Sequence, residues 1–207
     1  MSTPAFILGP TGRRVYLEDP FAGVGPVQLI EEIATGLSTE LRFSGHLKVP
    51  YTVAQHSISV SSWFHRGAYC LRWHGLIHDA SEAYLRDLPK PVKELLPDYK
   101  ALENRFMNGI ADVFNVALPE EHQLIHQYDW YALCVEAELI GFGAEKYDIH
   151  QPLSPDVWRH FAKHIANPLD RDSARREFIR IATRLYDEIH SFGDAYLRKP
   201  EVRCEIA

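Results

Sequence analysis

Apolar positions recur along most of the chain at intervals of three and four residues, the spacing of a helix buried on one face. In "VQLIEEIATGL" Leu29, Ile30, Ile33 and Leu37 fall on one side, which predicts a helix after Pro26, and Gly45 and Pro50 interrupt the pattern further on. "VAQHSISVSSWFH" carries Val53, Ile58, Val60, Trp63 and Phe64 in a mixed order; lacking Gly and Pro, it is read as helix. "YCLRWHGLIHDASEAYL" is expected to be one helix that ends near Asp87-Leu88-Pro89, and Pro89, Pro91 and Pro97 then punctuate a loop with about one helical turn in it. "YKALENRFMNGIADVF" is amphipathic through Leu102, Phe106, Ile110, Val113 and Phe114. Pro119-Glu120-Glu121 reads as a helix start leading into "HQLIHQYDWYALCVEAELIG", Ser154-Pro155-Asp156 as another, and "SARREFIRIATRLYDEIHSF" as the last long helix.

Strand-like alternation is confined to "FILGPTGRRVYL", where two short β-prone runs flank Gly9, Pro10 and Gly12 and predict a small hairpin. The expectation is an all-α bundle of about six or seven helices over residues 26–207, preceded by a hairpin extension over 1–25. A chain of 207 residues fits one domain more comfortably than two. No internal repeat, low-complexity run or composition shift marks a linker.

Charge and cysteine usage narrow the function classes. A net charge of −6 argues against a sequence-independent grip on a nucleic-acid polymer, so any anionic ligand must be met by local cations. Cys70, Cys134 and Cys204 form no CxxC pair, which favours reduced thiols over a disulfide framework or a thiolate zinc site. "MSTPAFILGP" lacks a basic region followed by a long apolar run, and no stretch of about 18 apolar residues occurs, so a cytoplasmic protein without a membrane partner is expected.

The chemistry concentrates in "WHGLIHDASEAYLRDLPKPVK", residues 73–93. Eleven histidines make chance pairings common. His74 and His78 have the i, i+4 spacing of a zinc pair, but no Glu follows the first His, which weakens a metalloprotease reading. His122 and His126 repeat the spacing ahead of Asp129, where a solvated stripe is the simpler reading. His78-Asp79 differs, because adjacent helical residues project about 100° apart and share an ion only if other helices complete the shell. His56 in "VAQHS" and Asp129 in "HQYDW" are candidates. Two imidazoles and two carboxylates suit Mn²⁺, Co²⁺, Zn²⁺, Fe²⁺ or Ni²⁺ rather than calcium.

On these residues the sequence resembles the HD-domain metal-dependent phosphohydrolases, whose signature is H…HD…D. The resemblance implies an HD-domain helical fold and one divalent transition metal on His56, His78, Asp79 and Asp129. "HDASEAYLRDLPKPVK" is similar to the segment after the HD pair in bacterial 5′-deoxynucleotidases of this superfamily and in phage enzymes that hydrolyse dATP. It implies a catalytic acid at Glu82 and substrate contacts from Asp87, Leu88, Pro89 and Lys90. "LRFSGHLKVPYTVAQHS" looks like the family's Arg-aromatic pair, here Arg42 and Phe43; the bacterial nucleotidases have Trp at the aromatic position. The likeness runs from about Gly12 to Ala137, and it implies a homodimer or larger ring.

Physical chemistry supports the same roles. A divalent ion lowers the pKa of coordinated water and withdraws charge from a phosphoryl oxygen, so hydrolysis needs no protein nucleophile. Glu82, three and four residues after Asp79 and His78, is placed to orient that water or to protonate the leaving group. Arg42 offers a bidentate phosphate clamp, and Lys90 and Lys93 offer point charges. Asp87 suits a deoxyribose 3′-OH. Simpler readings exist: Glu82 pairing with Arg86 for about a few tenths of a kcal/mol, Arg42 pairing with Glu40 or Glu82, Lys93 solvated, Asp129 bonded within its helix.

The leading expectation is cleavage of the 5′ ester of a small deoxynucleotide, either a dNMP with release of phosphate or a dNTP with release of triphosphate, with Mg²⁺ on the substrate phosphates. Arg13, Arg14, Lys48, Lys90 and Lys93 are candidate partners for phosphates beyond the first. "GRRVYL" and "RFSGH" look closer to the phage enzymes and tilt the expectation to the triphosphate. A non-catalytic nucleotide-binding module is the alternative of another class, disfavoured by the intact Glu82. Cyclic dinucleotide cleavage ranks low because the GYP segment of those relatives is absent.

Overall fold

Proline opens helices α1 (Pro26–Leu37), α6 (Pro97–Phe114) and α8 (Pro155–Ile165), at the turn where its fixed φ fits and its missing N–H costs nothing. The computed structural model describes residues 4–116 and 123–191. The other elements are strands β1 (Phe6–Leu8) and β2 (Arg14–Tyr16) and helices α2 (Val53–Trp63), α3 (Tyr69–Ile77), α4 (Glu82–Leu85), α5 (Lys90–Lys93), α7 (Gln123–Leu139) and α9 (Arg171–Ser191). Seven longer helices and the single turns α4 and α5 thus make an all-α fold among the described residues. The helix start at Pro119-Glu120-Glu121, His122 and Cys204 lie outside them.

The hairpin forms in the expected place, with Phe6 opposite Tyr16, Ile7 opposite Val15 and Leu8 opposite Arg14. Val15 is fully buried. Arg13 reaches across to Glu32 of α1 with Nε and Nη2, each 2.8 Å from a carboxylate oxygen. The Tyr84 hydroxyl donates to the same carboxylate at 2.9 Å, so the buried charge of Glu32 is fully answered. Arg13 is therefore a structural clip, contrary to its expected part as a phosphate partner.

Two large apolar clusters and a small third one, of Cys134, Ala137 and Ile149, make up the interior among the described residues. Leu29, Ile33, Trp73, Phe106, Ile110 and Phe178 anchor the larger one between α1, α3, α6 and α9. Tyr51, Val60, Ile125, Val135 and Phe161 anchor the second between α2, α7 and α8. Helix α2 lies at the junction, and Val53 to Ser61 are all buried. A helix buried all round has no polar side, hence the mixed sequence pattern. It meets α3 at Gly75, where an added Cβ would sit 3.1 Å from Ser61 backbone atoms. That contact brings the helices carrying His56 and His78 together.

The expected single helix over 69–85 is instead broken. Hydrogen bonds tighten from i+4 to i+3 spacing after Ile77, with Ala80 N donating to Ile77 O and Glu82 N to Asp79 O. Helix α4 then runs against α1, where Gly36 lets the Ala83 backbone approach; a Cβ there would stand 2.6 Å from Ala83 O.

Helix α2 is clamped to α8 by histidines. The Ser62 hydroxyl donates to Ser59 O at 2.9 Å, and Nε2 of His160 and His164 lie 3.2 and 3.0 Å from its oxygen. Burial, then His160 and Lys163, push His164 down to about 4. Its folded pKa lies below the unfolded value near 6.5, so the folded state binds fewer protons in that window. Stability is complete above about pH 6.5 and is lost as pH falls toward 4. The urea midpoint is expected to drop over that range, and less in His164→Gln; an equal drop in both proteins would remove His164 from this role.

Candidate metal centre

Three elements converge where the two clusters meet. His56 ends the first turn of α2, His78 caps the C-terminus of α3 with Asp79 next to it, and Asp129 lies about one and a half turns into α7. His56 is fully buried and the His78, Asp79 and Asp129 side chains are 10, 19 and 36% exposed, so the cluster opens to solvent on the Asp129 side.

The donor atoms face one another. His56 Nε2 is 3.3 Å from His78 Nε2 and 2.9 Å from Asp129 Oδ1, and His78 Nε2 is 3.7 Å from Asp129 Oδ1. Asp79 Oδ2 is 3.2 Å from His78 Nε2 and 3.8 Å from His56 Nε2. Ligands about 2.1 Å from one ion and 90–110° apart are separated by about 3.0–3.4 Å. The donor set of His56, His78 and Asp129 can hold a metal ion, their ligand atoms all lying within 4.8 Å of one another.

Both imidazoles are held from behind. His56 Nδ1 is 2.7 Å from Glu136 Oε1, and His78 Nδ1 is 3.0 Å from Gly75 O. Each contact gives Nδ1 an acceptor for its proton, so that Nε2 is the nitrogen that would ligate once a metal replaces the proton it shares with Asp129. Glu136 also accepts from Arg42 Nε at 2.8 Å, forming an Arg42–Glu136–His56 chain with Glu136 fully buried. Burial alone would lower the Arg42 pKa, but Glu136, Asp129 and Asp79 raise it. Arg42 Nη1 sits 3.6 Å from Asp79 Oδ2. Its backbone N donates to Tyr51 O, one residue before the Thr52 cap of α2, which ties the Arg42 loop to the His56 helix.

The electrostatics are those of a cation site. Burial would raise Asp79, but His78 and His56 hold it down at about 2, and bonds from His56 and His78 keep Asp129 well below the carboxylate range. Burial would lower His78, but Asp79 and Asp129 raise it well above the ordinary imidazole value. Such a cluster calls for positive charge, supplied by protons or by a metal.

Glu82 opens α4 and is 4% exposed. Burial, then Asp79 and Asp87, raise its pKa well above the carboxylate range against the pull of Lys93. Oε1 accepts from Lys93 Nζ at 2.9 Å, and Oε2 is buried without a hydrogen-bond partner. Lys93 in turn lies 2.8 Å from Glu103 of α6. It is neither solvated nor free for phosphate, but a strut between α4 and α6. Arg86 pairs with Glu40, leaving neither the expected Glu82–Arg86 pair nor an Arg42–Glu40 pair.

Asp87 is half-buried and feels the charges of Arg42 and Asp79, which places it by the cluster. Leu88 is half-buried, and Pro89 and Lys90 are exposed at the start of α5. The Phe43 ring lies 6.0 Å from the Arg42 guanidinium and packs edge-on to Tyr147 at 5.2 Å. Phe43 and Ser44 adopt left-handed backbone angles, φ 54° and 53°, at a turn beside the cluster. His74 is buried outside the donor group and His126 is exposed. Glu136 and Tyr147 were not singled out by sequence. Glu136 had a signal, standing seven residues after Asp129 and hence on the same face of α7.

No helix among the described residues is long and apolar enough to cross a membrane. No family model matches the chain. It is 44% identical over 88 residues to the uncharacterized protein YfdR of Escherichia coli strain K12, a match covering 42% of this chain and 48% of YfdR, so the chain spans about half of that protein's length. It is 33% identical over 150 residues to the uncharacterized protein RCAP_rcc00048 of Rhodobacter capsulatus, covering 67% of this chain and 74% of the relative. By that extent of likeness the chain belongs to the same protein family as RCAP_rcc00048.

Proposed function

We propose that the chain is a metal-dependent phosphohydrolase of the HD-domain type that cleaves the 5′-phosphoester of 2′-deoxynucleotides. The observation that carries this reading is the convergence of His56, His78, Asp79 and Asp129 on one point, with the buried acid Glu82 a single turn away. A divalent transition metal such as Mn²⁺, Co²⁺, Zn²⁺, Fe²⁺ or Ni²⁺ would be held by these four residues and would supply Lewis acidity and a water of lowered pKa. Glu82, whose pKa is raised by burial and by Asp79 and Asp87, is the group that donates a proton to the leaving 5′ oxygen. Arg42, its Nε committed to Glu136, presents its Nη atoms to a phosphoryl oxygen beside Asp79. Asp87 accepts from the sugar 3′-OH, Leu88, Pro89 and Lys90 border the sugar and phosphate, and Phe43 stacks on the base.

Sequence likeness tilts the substrate toward a dNTP. One observation favours the second reading, a dNMP: of the cations available for further phosphates, Arg13 is closed by Glu32 and Lys93 by Glu82 and Glu103. Only Arg14, Lys48 and Lys90 remain of that set. Incubation with a panel of dNMPs and dNTPs in Mn²⁺ or Co²⁺, with products separated by chromatography, tests the proposal. Deoxynucleoside plus phosphate identifies a nucleotidase, deoxynucleoside plus triphosphate a triphosphohydrolase, and no product from any of them refutes hydrolysis.

Glu136→Gln keeps the size of the partner behind His56 and removes its charge. Losing such an outer partner typically weakens metal affinity about 10–100-fold. Competition with a chromogenic chelator should show that loss; an unchanged affinity would make Glu136 a purely structural residue.

A further inference from the structure

Helix α3 carries a second charged feature, at the end away from His78. Arg72 is half-buried, its Nε is shielded from solvent, and that atom has no hydrogen-bond partner. Helix α3 packs along α9, which brings up Arg180 and Arg184 one turn apart, and Arg66 stands in the loop leading into α3. Burial, followed by the charges of Arg184, Arg66 and Arg180, lowers the Arg72 pKa, the opposite of the shift at Arg42. Among the described residues neither Arg72 nor Arg66 forms an ion pair, while Arg180 holds Glu177 at 2.6 Å and Arg184 reaches Glu188 only at 4.0 Å.

Beside them the surface of α9 forms a groove of about 670 Å³ lined by Arg180, Thr183, Arg184, Asp187, Glu188 and Ser191. Of the two acids there, Glu188 lies 4.0 Å from Arg184. Arg72 Nε has no hydrogen-bond partner, and Arg180 and Arg184 line the groove on the packed helix α9, so an anion lying there would meet guanidinium groups from both helices. Arginine forks match phosphate oxygens, and Thr183 and Ser191 add hydroxyl donors. Arg180 and Arg184 are about 6 Å apart along the α9 axis, with Arg66 and Arg72 on neighbouring elements, so one phosphate cannot meet them all. We propose that the α3–α9 face binds an oligophosphate chain, free or carried on a nucleotide, at a site separate from the candidate metal centre. Arg72 lies six residues before His78, about 9 Å along α3.

Calorimetric titration of the full chain with inorganic tripolyphosphate, in buffer without divalent metal, tests this. The wild type is expected to bind. The double variant Arg180→Gln/Arg184→Gln, changed only at exposed positions and therefore folded, should bind about tenfold or more weakly, as should Arg72→Gln. Arg42→Gln should leave this affinity unchanged. Displacement of tripolyphosphate by dATP would assign a nucleotide-borne chain, and failure of dATP to displace it a free one. No wild-type binding at millimolar tripolyphosphate, equal affinity in the double variant, or loss confined to Arg42→Gln would each overturn the proposal.

Discussion

Asp129→Ala is expected to leave the protein folded while stripping it of its divalent ion and of hydrolytic activity. Asp129 is the most exposed of the four candidate ligands and makes no contribution to either apolar cluster. Its loss therefore opens no core cavity, and the metal-depleted variant should still unfold cooperatively, its midpoint lowered from that of metal-depleted wild type only by the lost contacts with His56 and His78. What disappears is a carboxylate within 2.9 and 3.7 Å of two imidazoles. Removing a charged ligand should cost more than the roughly 10–100-fold of an outer partner, so turnover should fall on the order of 10³-fold or more. Elemental analysis should find far less than one ion per chain; retention of a full equivalent would exclude Asp129 as a ligand.

The second large effect is expected from Glu82→Gln. Glutamine keeps the volume and offers Lys93 an acceptor oxygen, so the α4–α5–α6 contact survives. It has no acidic proton to deliver. General acid catalysis is typically worth 10²–10⁴-fold, and kcat should fall by about that factor with little change in KM or metal content. A second expectation separates this role from a structural one: Lys93→Met, which removes the cation that lowers the Glu82 pKa, should move the basic limb of the pH profile to higher pH, whereas Glu82→Gln should abolish that limb. Turnover at the wild-type rate in Glu82→Gln would remove the residue from the mechanism.

Much of this arrangement was legible in the chain itself. The hairpin followed from Gly9, Pro10 and Gly12, and the amphipathic helices from their apolar spacing, because each of those elements keeps a solvent face that marks its period. Helix α2 does not, and only the absence of breakers identified it. The donor group of His56, His78 and Asp129, with Asp79 beside it, was readable because His78-Asp79 is costly to bury without a cation, and His56 and Asp129 sit within helices. The residues that support the site were less visible. Glu136 was missed because its partners, Arg42 and His56, are 94 and 80 positions away in the chain. Arg13 and Lys93 look like free cations in sequence, since nothing local shows that Glu32, Glu82 and Glu103 fold against them. The break after Ile77 was hidden for a related reason: "HDASEA" contains neither Gly nor Pro, and the tightening to i+3 bonds comes with tertiary contacts, the docking of Ala83 on Gly36 among them.

A single divalent ion held by His56, His78, Asp79 and Asp129 is the centre of the proposed activity, and anomalous diffraction from crystals grown with Mn²⁺ or Co²⁺ observes that ion directly. The expected result is one strong peak about 2.1 Å from Nε2 of both histidines and from a carboxylate oxygen of both aspartates. A peak elsewhere, or none within bonding distance of both imidazoles, would contradict it.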